Sequence, residues 1–423
     1  MYKCDKLKNG IRIVTHDMKQ RDSIAIGLWV GVGGRYESDQ LKGAAHYLEH
    51  MLFKGSKKYS CNQIKEMIEG VGGALNAFTS EEQTCYYAKI PAIHLERTFD
   101  ILADMVFHPK ISSKDVQKEK TVILEEIKMY QDLPQYRVLE ILDSLLWPDH
   151  PLGKSLAGTP ESVSAMNSRM IKKFHEDYYT TKNIVVSACG DLKHSNIVNL
   201  AHKKLSSVCL GEKSSFVKVG PSKLGSSVVF FKKDIEQMHV ALGAIGYDEG
   251  NKDKYPLALL SVVLGGNMSS RLFNEVREKR GLAYSIGCSS RTLHDSGVFL
   301  VRAGVDNTKI EEALSVILRE LEKVVKNGVT QGEFVRAKDY LLGQLLLGME
   351  DTMEHMLWIG EGLIARNKTK TLKSVINEFE SIEKEDLKRV AKQVLKQECF
   401  RLAVVGPVTD KQRSIISRLM KTA

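Results

Sequence analysis

The 423-residue sequence has no run of about 18 apolar residues, so no helical membrane span is expected. Its N-terminus, MYKCDKLKNGIRIV, carries charges from the start. It lacks an apolar h-region and a small-residue cleavage site, which argues against a secretory signal and an Arg/Ser-rich transit peptide. A mature organellar protein with its presequence removed would look the same. Seven cysteines (4, 61, 85, 189, 209, 288, 399) include no CxxC pair. An odd, scattered set argues for a reducing compartment and against a disulfide framework, so a cytoplasmic location is expected. No nucleic-acid motif accompanies the net charge of +9, whose 61 basic and 52 acidic residues are thinly spread, and nucleic acid is not an expected partner.

What is present is ordinary globular material, 43% hydrophobic and 27% charged, in a chain too long for one core. Residues 6–16 and 23–34 read as strands, 43–54 and 60–70 as helices, and Gly72-Gly73 breaks the chain before strands near 74–80 and 83–91. Helices follow around 93–107, 112–131, 134–146 and 166–178, then strand 183–190 and helix 194–206. The stretch 209–225 is rich in Gly, Ser and Lys, lacks period, and reads as a linker. Strands then recur at 226–233 and 237–245, helices at 254–264 and near 270–279, strands at 282–290 and 296–304, and helices up to about 396 before a last strand, 400–406. Both halves thus run strand pair, helices, strand pair, helices, late strand. The expected fold is α+β, with two related domains, 1–208 and 226–423, each a mostly antiparallel sheet flanked by helices.

GAAHYLEHMLFKG is a good helix, Ala-rich with Leu, Glu and Met and ended by Gly55. On it His46 and His50 lie one turn apart on one face. Two imidazoles so spaced can grip one Zn²⁺, and Glu49 lies on the same side, within reach of a water there, where a general base is needed. The arrangement H-x-x-E-H is the inverzincin signature. A catalytic zinc needs a third protein ligand, and the helix 112–131 offers Glu119, Glu125 and Glu126. By helical phase Glu126 shares a stripe with Val122, Ile123, Met129 and Tyr130, whereas Glu125 falls beside Lys118 and Lys128 on the polar side. A carboxylate on an apolar stripe is costly unless paired or metal-bound, so Glu126 is the expected ligand. Glu119, seven residues earlier and only ~20° away in phase, is expected to orient a ligand or the water.

These segments resemble the pitrilysin family of metallopeptidases, which includes insulin-degrading enzyme and the mitochondrial processing peptidases. HYLEHMLFKGS is similar to the family's zinc-helix motif, and EKTVILEEIKMYQDLP to its second zinc segment, with Glu126 matching the ligand and Glu119 the essential upstream glutamate. GALNAFTSEEQTCYY resembles a strand pair lining the family's cleft, where Asn76 and Ala77 match an edge that binds peptide backbone. SSRLFNEVREKRGLAYSIG resembles an Arg…Tyr segment, in which Arg271 and Tyr284 match residues that contact substrate and help stabilise the reacting carbonyl. Without that resemblance, Arg271 reads as a partner of Glu275 or Glu278 and Tyr284 as a packed tyrosine. Glu140 matches one of the acidic residues that hold a substrate arginine in processing peptidases, but Tyr136 and Arg137 stand where another acid would help. The resemblance implies two homologous domains facing each other as a clamshell, a Zn²⁺ cofactor, unfolded peptides or presequence-like segments as substrates of a metalloendopeptidase, and, for the short branch, dimers, here a homodimer. The alternative is a non-catalytic structural or substrate-binding subunit of the same family.

Overall fold

The strand SIAIGLWV is apolar at almost every position, which a strand tolerates only when both of its faces are covered. In a computed structural model, which describes residues 2–220 and 225–421, this strand, β3 (Ser23–Val30), is central in a six-stranded sheet. Its companions are β1 (Lys3–Lys6), β2 (Arg12–Asp17), β4 (Ala74–Thr79), β5 (Thr84–Pro91) and β6 (Ile184–Gly190), in the order β1-β2-β6-β3-β5-β4. All pairs are antiparallel except β2 with β6. The expected strand 6–16 is two strands: Asn9-Gly10 turns the chain, with Gly10 at φ +101°, and the Gly10 amide donates to the Leu7 carbonyl.

The chain divides into two compact units. The first comprises Met1–Ile127, Ser155–Val217 and Leu345–Leu372; the second comprises Lys128–Lys154, Lys218–Gln344 and Lys373–Ala423. The units do not follow the halves of the sequence, because each takes a helix from the other half. In the first, Ile24, Ile26, Leu28 and Val30 of β3 face a core shared with the helix Ala44–Leu52. Ala25 and Trp29, on the opposite face, pack with Val185 and Cys189 of β6 against Met356, Ile359 and Leu363 of the helix Thr352–Arg366. The approach is close: the Trp29 indole donates to Ser187 at 2.8 Å, and a Cβ on Gly360 would lie 2.1 Å from Trp29 Nε1. Gly360→Ala is therefore expected to lower stability by about 1–3 kcal/mol, seen as a lower urea midpoint at unchanged m-value.

The second unit holds β7 (Val228–Lys232), β8 (Gln237–Ile245), β9 (Ala283–Thr292), β10 (Gly297–Asp306) and β11 (Arg401–Gly406), in the order β7-β11-β8-β10-β9. Only β7 and β11 are parallel. Without β1, the first sheet follows the same scheme, so the repeat expected from element order is a repeat of topology. One face of this second sheet is covered by the helix Pro134–Leu146, through Val138, Ile141, Leu142 and Leu145.

Of the expected linker, residues 221–224 lie outside the described residues. The part before them has no regular secondary structure but is tethered: Ser214 bonds to Asn183 through both its amide and its hydroxyl, and the Arg35 guanidinium donates to the Val217 carbonyl and lies over the Phe216 ring. A final helix, Asp410–Leu419, follows the last strand. Among the described residues no helix is long and apolar enough to cross a membrane.

Candidate metal centre

The helix Ala44–Leu52 begins without a capping side chain of its own, since Gly43 occupies the N-cap at φ +93°. A buried carboxylate from upstream takes over that task. Glu37 accepts hydrogen bonds from the Gly43 amide at 2.9 Å and the Ala45 amide at 2.7 Å, and pairs with the buried Lys42 ammonium at 3.2 Å. Gly43 is obligatory for a further reason: a Cβ there would meet the Ala157 carbonyl oxygen at 2.6 Å. Ala44, Ala45, Tyr47, Leu48, Met51 and Leu52 are buried in the core, and the Tyr47 hydroxyl donates to the Val116 carbonyl of the helix Ser113–Asp132. The two helices are thus fixed together with His46, Glu49 and His50 on the remaining stripe.

His46, His50 and Glu126 each offer one ligand atom, and these atoms lie within 4.8 Å of one another. One oxygen of Glu126, Oε2, stands 3.6 Å from His46 Nε2 and 3.3 Å from His50 Nε2. A tetrahedral zinc with arms of roughly 2.0–2.1 Å separates its ligand atoms by about 3.3–3.4 Å, so the donor set and its spacing fit zinc. The other nitrogen of His50, Nδ1, lies 2.9 Å from Glu119 Oε1, whose second oxygen pairs with Lys54 at 2.5 Å. Glu119 thereby sets the orientation of the His50 ring. Glu119→Gln is expected to weaken zinc affinity about 10–100-fold, read by competition with a chromogenic chelator.

Electrostatics agree with a cation at this point. Burial pushes His46 down to about 4, helped by the neighbouring His50 and opposed by Glu126. Burial acts the same way on His50, but the hydrogen bonds with Glu119 and Glu126 outweigh it and carry this imidazole up to about 9. Glu119 is held below the usual carboxylate range, against its burial, by His50 and Lys54. Glu49 moves the other way: burial raises it, Glu126 adds to the rise, and the Thr79 hydroxyl, which donates to Glu49 Oε2, and His50 oppose it.

The stripe expected on the second helix needs a correction. Val122 and Met129 are exposed, and the buried positions are Val116, Glu119, Ile123 and Ile127. Glu126 flanks this face and Glu125 is exposed. Asn76 and Ala77 lie on β4, which pairs with β5 alone and is the sheet edge. The Asn76 side-chain oxygen accepts from the Ala77 amide at 2.8 Å, so a strand added there would exchange that bond.

In the second unit Arg271 does not pair with Glu275 or Glu278. It makes a two-pronged contact with Glu333, at 2.8 and 2.6 Å, while Glu275 is held by Lys279 and Arg280. Tyr284 is not packed: it is 74% exposed, with Arg277 over its ring at 5.6 Å. Glu140 is paired with Arg137 at 2.9 Å. Sequence reasoning missed Glu37, Lys54 and Thr79. The only local signal was the glycine at the start of the first helix, which left the cap to be supplied from elsewhere.

Comparison with known proteins agrees with the geometry. Residues 12–160 match the family described as insulinase (peptidase family M16), and residues 165–341 match the peptidase M16 inactive domain. A Bacillus subtilis relative described as the uncharacterized zinc protease YmxG is 35% identical over 400 residues, covering 95% of this chain and 97% of its own. The Mycobacterium tuberculosis protein described as the uncharacterized zinc protease Rv2782c is 35% identical over 409 residues, covering 96% and 93%. Among solved structures, a protease from Helicobacter pylori superposes with a TM-score of 0.90 at 25% identity, covering 96% of this chain and 99% of that one. Two imidazoles and a carboxylate set at zinc spacing on paired helices, in a chain matched along nearly its whole length by zinc proteases, belong to a member of the M16 insulinase family of zinc-dependent peptidases.

Proposed function

We propose that this chain is a zinc metalloendopeptidase that cuts unfolded polypeptides, with His46, His50 and Glu126 as zinc ligands and Glu49 as general base. The observation that carries the reading is the convergence, within 4.8 Å, of ligand atoms from His46 and His50, which share a helical turn with Glu49, and from Glu126 of the helix Ser113–Asp132. Zinc, when bound, supplies Lewis acidity, which lowers the pKa of water towards ~7 and polarises a peptide carbonyl. Glu49 takes the proton from the attacking water and passes it to the departing amine, and its raised pKa suits both transfers. Thr79 keeps the Glu49 carboxylate turned to one side through its hydrogen bond. Glu119 holds the His50 ring, and Lys54 holds Glu119.

Substrate selection follows from the edge strand. β4 carries Thr79 and ends the sheet, so an extended peptide can add to it through main-chain hydrogen bonds at Asn76 and Ala77. That mode reads backbone, which a folded substrate does not expose. Tyr284, with its exposed ring, is assigned as a hydrogen-bond donor to substrate. Arg271 keeps its assigned substrate contact while anchored by Glu333. The carboxylate of Glu140 is engaged by Arg137, which weakens it as a receptor for a substrate arginine, and presequence-like specificity is not part of the reading. A homodimer in the cytoplasm completes it. No observation favours a non-catalytic subunit, since the full donor set is present.

The test is metal analysis combined with cleavage of an unstructured quenched-fluorescent peptide. About one zinc per chain, cleavage lost with chelator and cleavage restored by zinc are expected. A folded, metal-free protein that cuts nothing would overturn the reading.

A further inference from the structure

The helix Pro134–Leu146 does not cover the whole face of the sheet on which it lies. Beyond its N-terminal end the same face carries Arg302 and Gly304 of β10, His239 of β8, and Ser285 and Gly287 of β9. The register pairs Arg302 with Gly287, and Gly304 with both His239 and Ser285, so these five positions are neighbours. Two of the five have no side chain. A Cβ on Gly304 would stand 3.0 Å from Ser285 Oγ, and one on Gly287 would stand 3.9 Å from Arg302 Nε. The result is an open cavity of about 360 Å³, floored by glycine and walled by Tyr136 and Leu139 of the helix. That size is in the range of small-ligand clefts.

The polar groups of this cavity favour an anion. Among the described residues no carboxylate or carbonyl accepts from the Arg302 guanidinium, which is exposed at the mouth of the cavity. The first turn of the helix, with the positive end of its dipole, forms part of the wall. Ser285 and His239 add hydrogen-bonding groups, and burial lowers the pKa of His239, so it serves as a neutral partner. The net charge of +9 draws anionic chains to the protein in general.

We propose that this cavity binds a carboxylate carried by an extended peptide, either an aspartate or glutamate side chain or the chain-terminal carboxylate. Arg302 grips the carboxylate in its planar fork, and Tyr136 and Leu139 contact the adjoining apolar part. That the carboxylate arrives on a peptide rests on the peptidase reading; that the cavity selects a carboxylate does not.

The experiment uses the full chain carrying Glu49→Gln, so that binding is read without cleavage. Three fluorescein-labelled ten-residue peptides are compared by anisotropy: one with a central glutamate and an amidated C-terminus, one with glutamine in its place and an amidated C-terminus, and one with glutamine and a free C-terminus. One carboxylate peptide is expected to bind about tenfold more tightly than the amidated glutamine peptide, equivalent to about 1.4 kcal/mol. Which of the two does so identifies the source of the carboxylate. In Arg302→Gln the preference should shrink to less than about twofold, and Arg302→Lys should restore part of it. Equal affinities for all three peptides, or a preference that persists in Arg302→Gln, would overturn the proposal. Failure of the peptidase reading would register separately, as absence of zinc and of cleavage in the unmodified chain.

Discussion

Glu49→Gln should keep about one zinc per chain while losing about a thousandfold in peptide cleavage. The metal is expected to stay because Glu49 is not one of the three converging ligand atoms, which come from His46, His50 and Glu126. The loss follows from proton chemistry. Glutamine has the size of glutamate and can still accept from the Thr79 hydroxyl, but it cannot take a proton from water or return one to an amine. General acid–base catalysis by one positioned group contributes typically 10²–10⁴-fold, and a single residue acting in both directions belongs in the middle of that range or above it. Since the substitution keeps the shape of the site, kcat should fall with little change in KM. Metal content by mass spectrometry and single-turnover cleavage give the two readings, and a variant within about tenfold of the unmodified rate would remove Glu49 as the base.

Glu37→Ala is expected to cost about 3–5 kcal/mol, the largest stability effect among the residues near the metal. Glu37 is buried, and its removal takes the acceptor from the amides of Gly43 and Ala45 and the counter-charge from the ammonium of Lys42. Each orphaned amide costs about 1–3 kcal/mol, and an unpartnered buried ammonium more. Lys42 keeps one bond, to the Gly34 carbonyl at 2.9 Å, which bounds the loss. Burial pushes the Glu37 carboxyl up, whereas Lys42 and the two amides pull it down. The double variant Glu37→Gln with Lys42→Met should recover much of the loss, because two uncharged groups replace a broken ion pair. Urea unfolding of the unmodified chain and the two variants decides the matter. A single variant within about 0.5 kcal/mol of the unmodified chain would show that the helix start is capped by other means.

The metal stripe was legible because its information is local. His46, Glu49 and His50 lie within one turn, and the pairing of Glu119 with Glu126 follows from seven-residue spacing on one helix. Val122 and Met129 look like core by hydropathy but are exposed, since the helix buries the stripe through Val116 and Ile123. Arg271 shows where local reading ends. The nearby acids Glu275 and Glu278 were the natural partners by spacing, yet Glu275 is held by Lys279 and Arg280, and the partner, Glu333, is far away in sequence. The same holds for Glu37 capping a helix, and for Thr79 touching Glu49 from a strand: nothing in a window of residues encodes a contact made by folding. Apart from β1, whose four residues are exposed and which the expected strand 6–16 did not separate, the strands of both sheets could be placed from their apolar runs, but which helix covers which sheet face could not, because amphipathic helices of similar length are interchangeable in sequence.

That assignment of helices bears on how the protein is made. The first sheet is complete when β6 ends at Gly190, but among the described residues the helix that covers the side bearing Ala25 and Trp29 starts at Thr352. At roughly 5–20 residues per second, a ribosome takes on the order of ten seconds or more to deliver that helix. During this interval an apolar sheet face stands open on the nascent chain. For the same reason a gene cut between 209 and 225 would yield two fragments, each lacking a helix that the other encodes, and neither would reach a closed core without its counterpart present during folding.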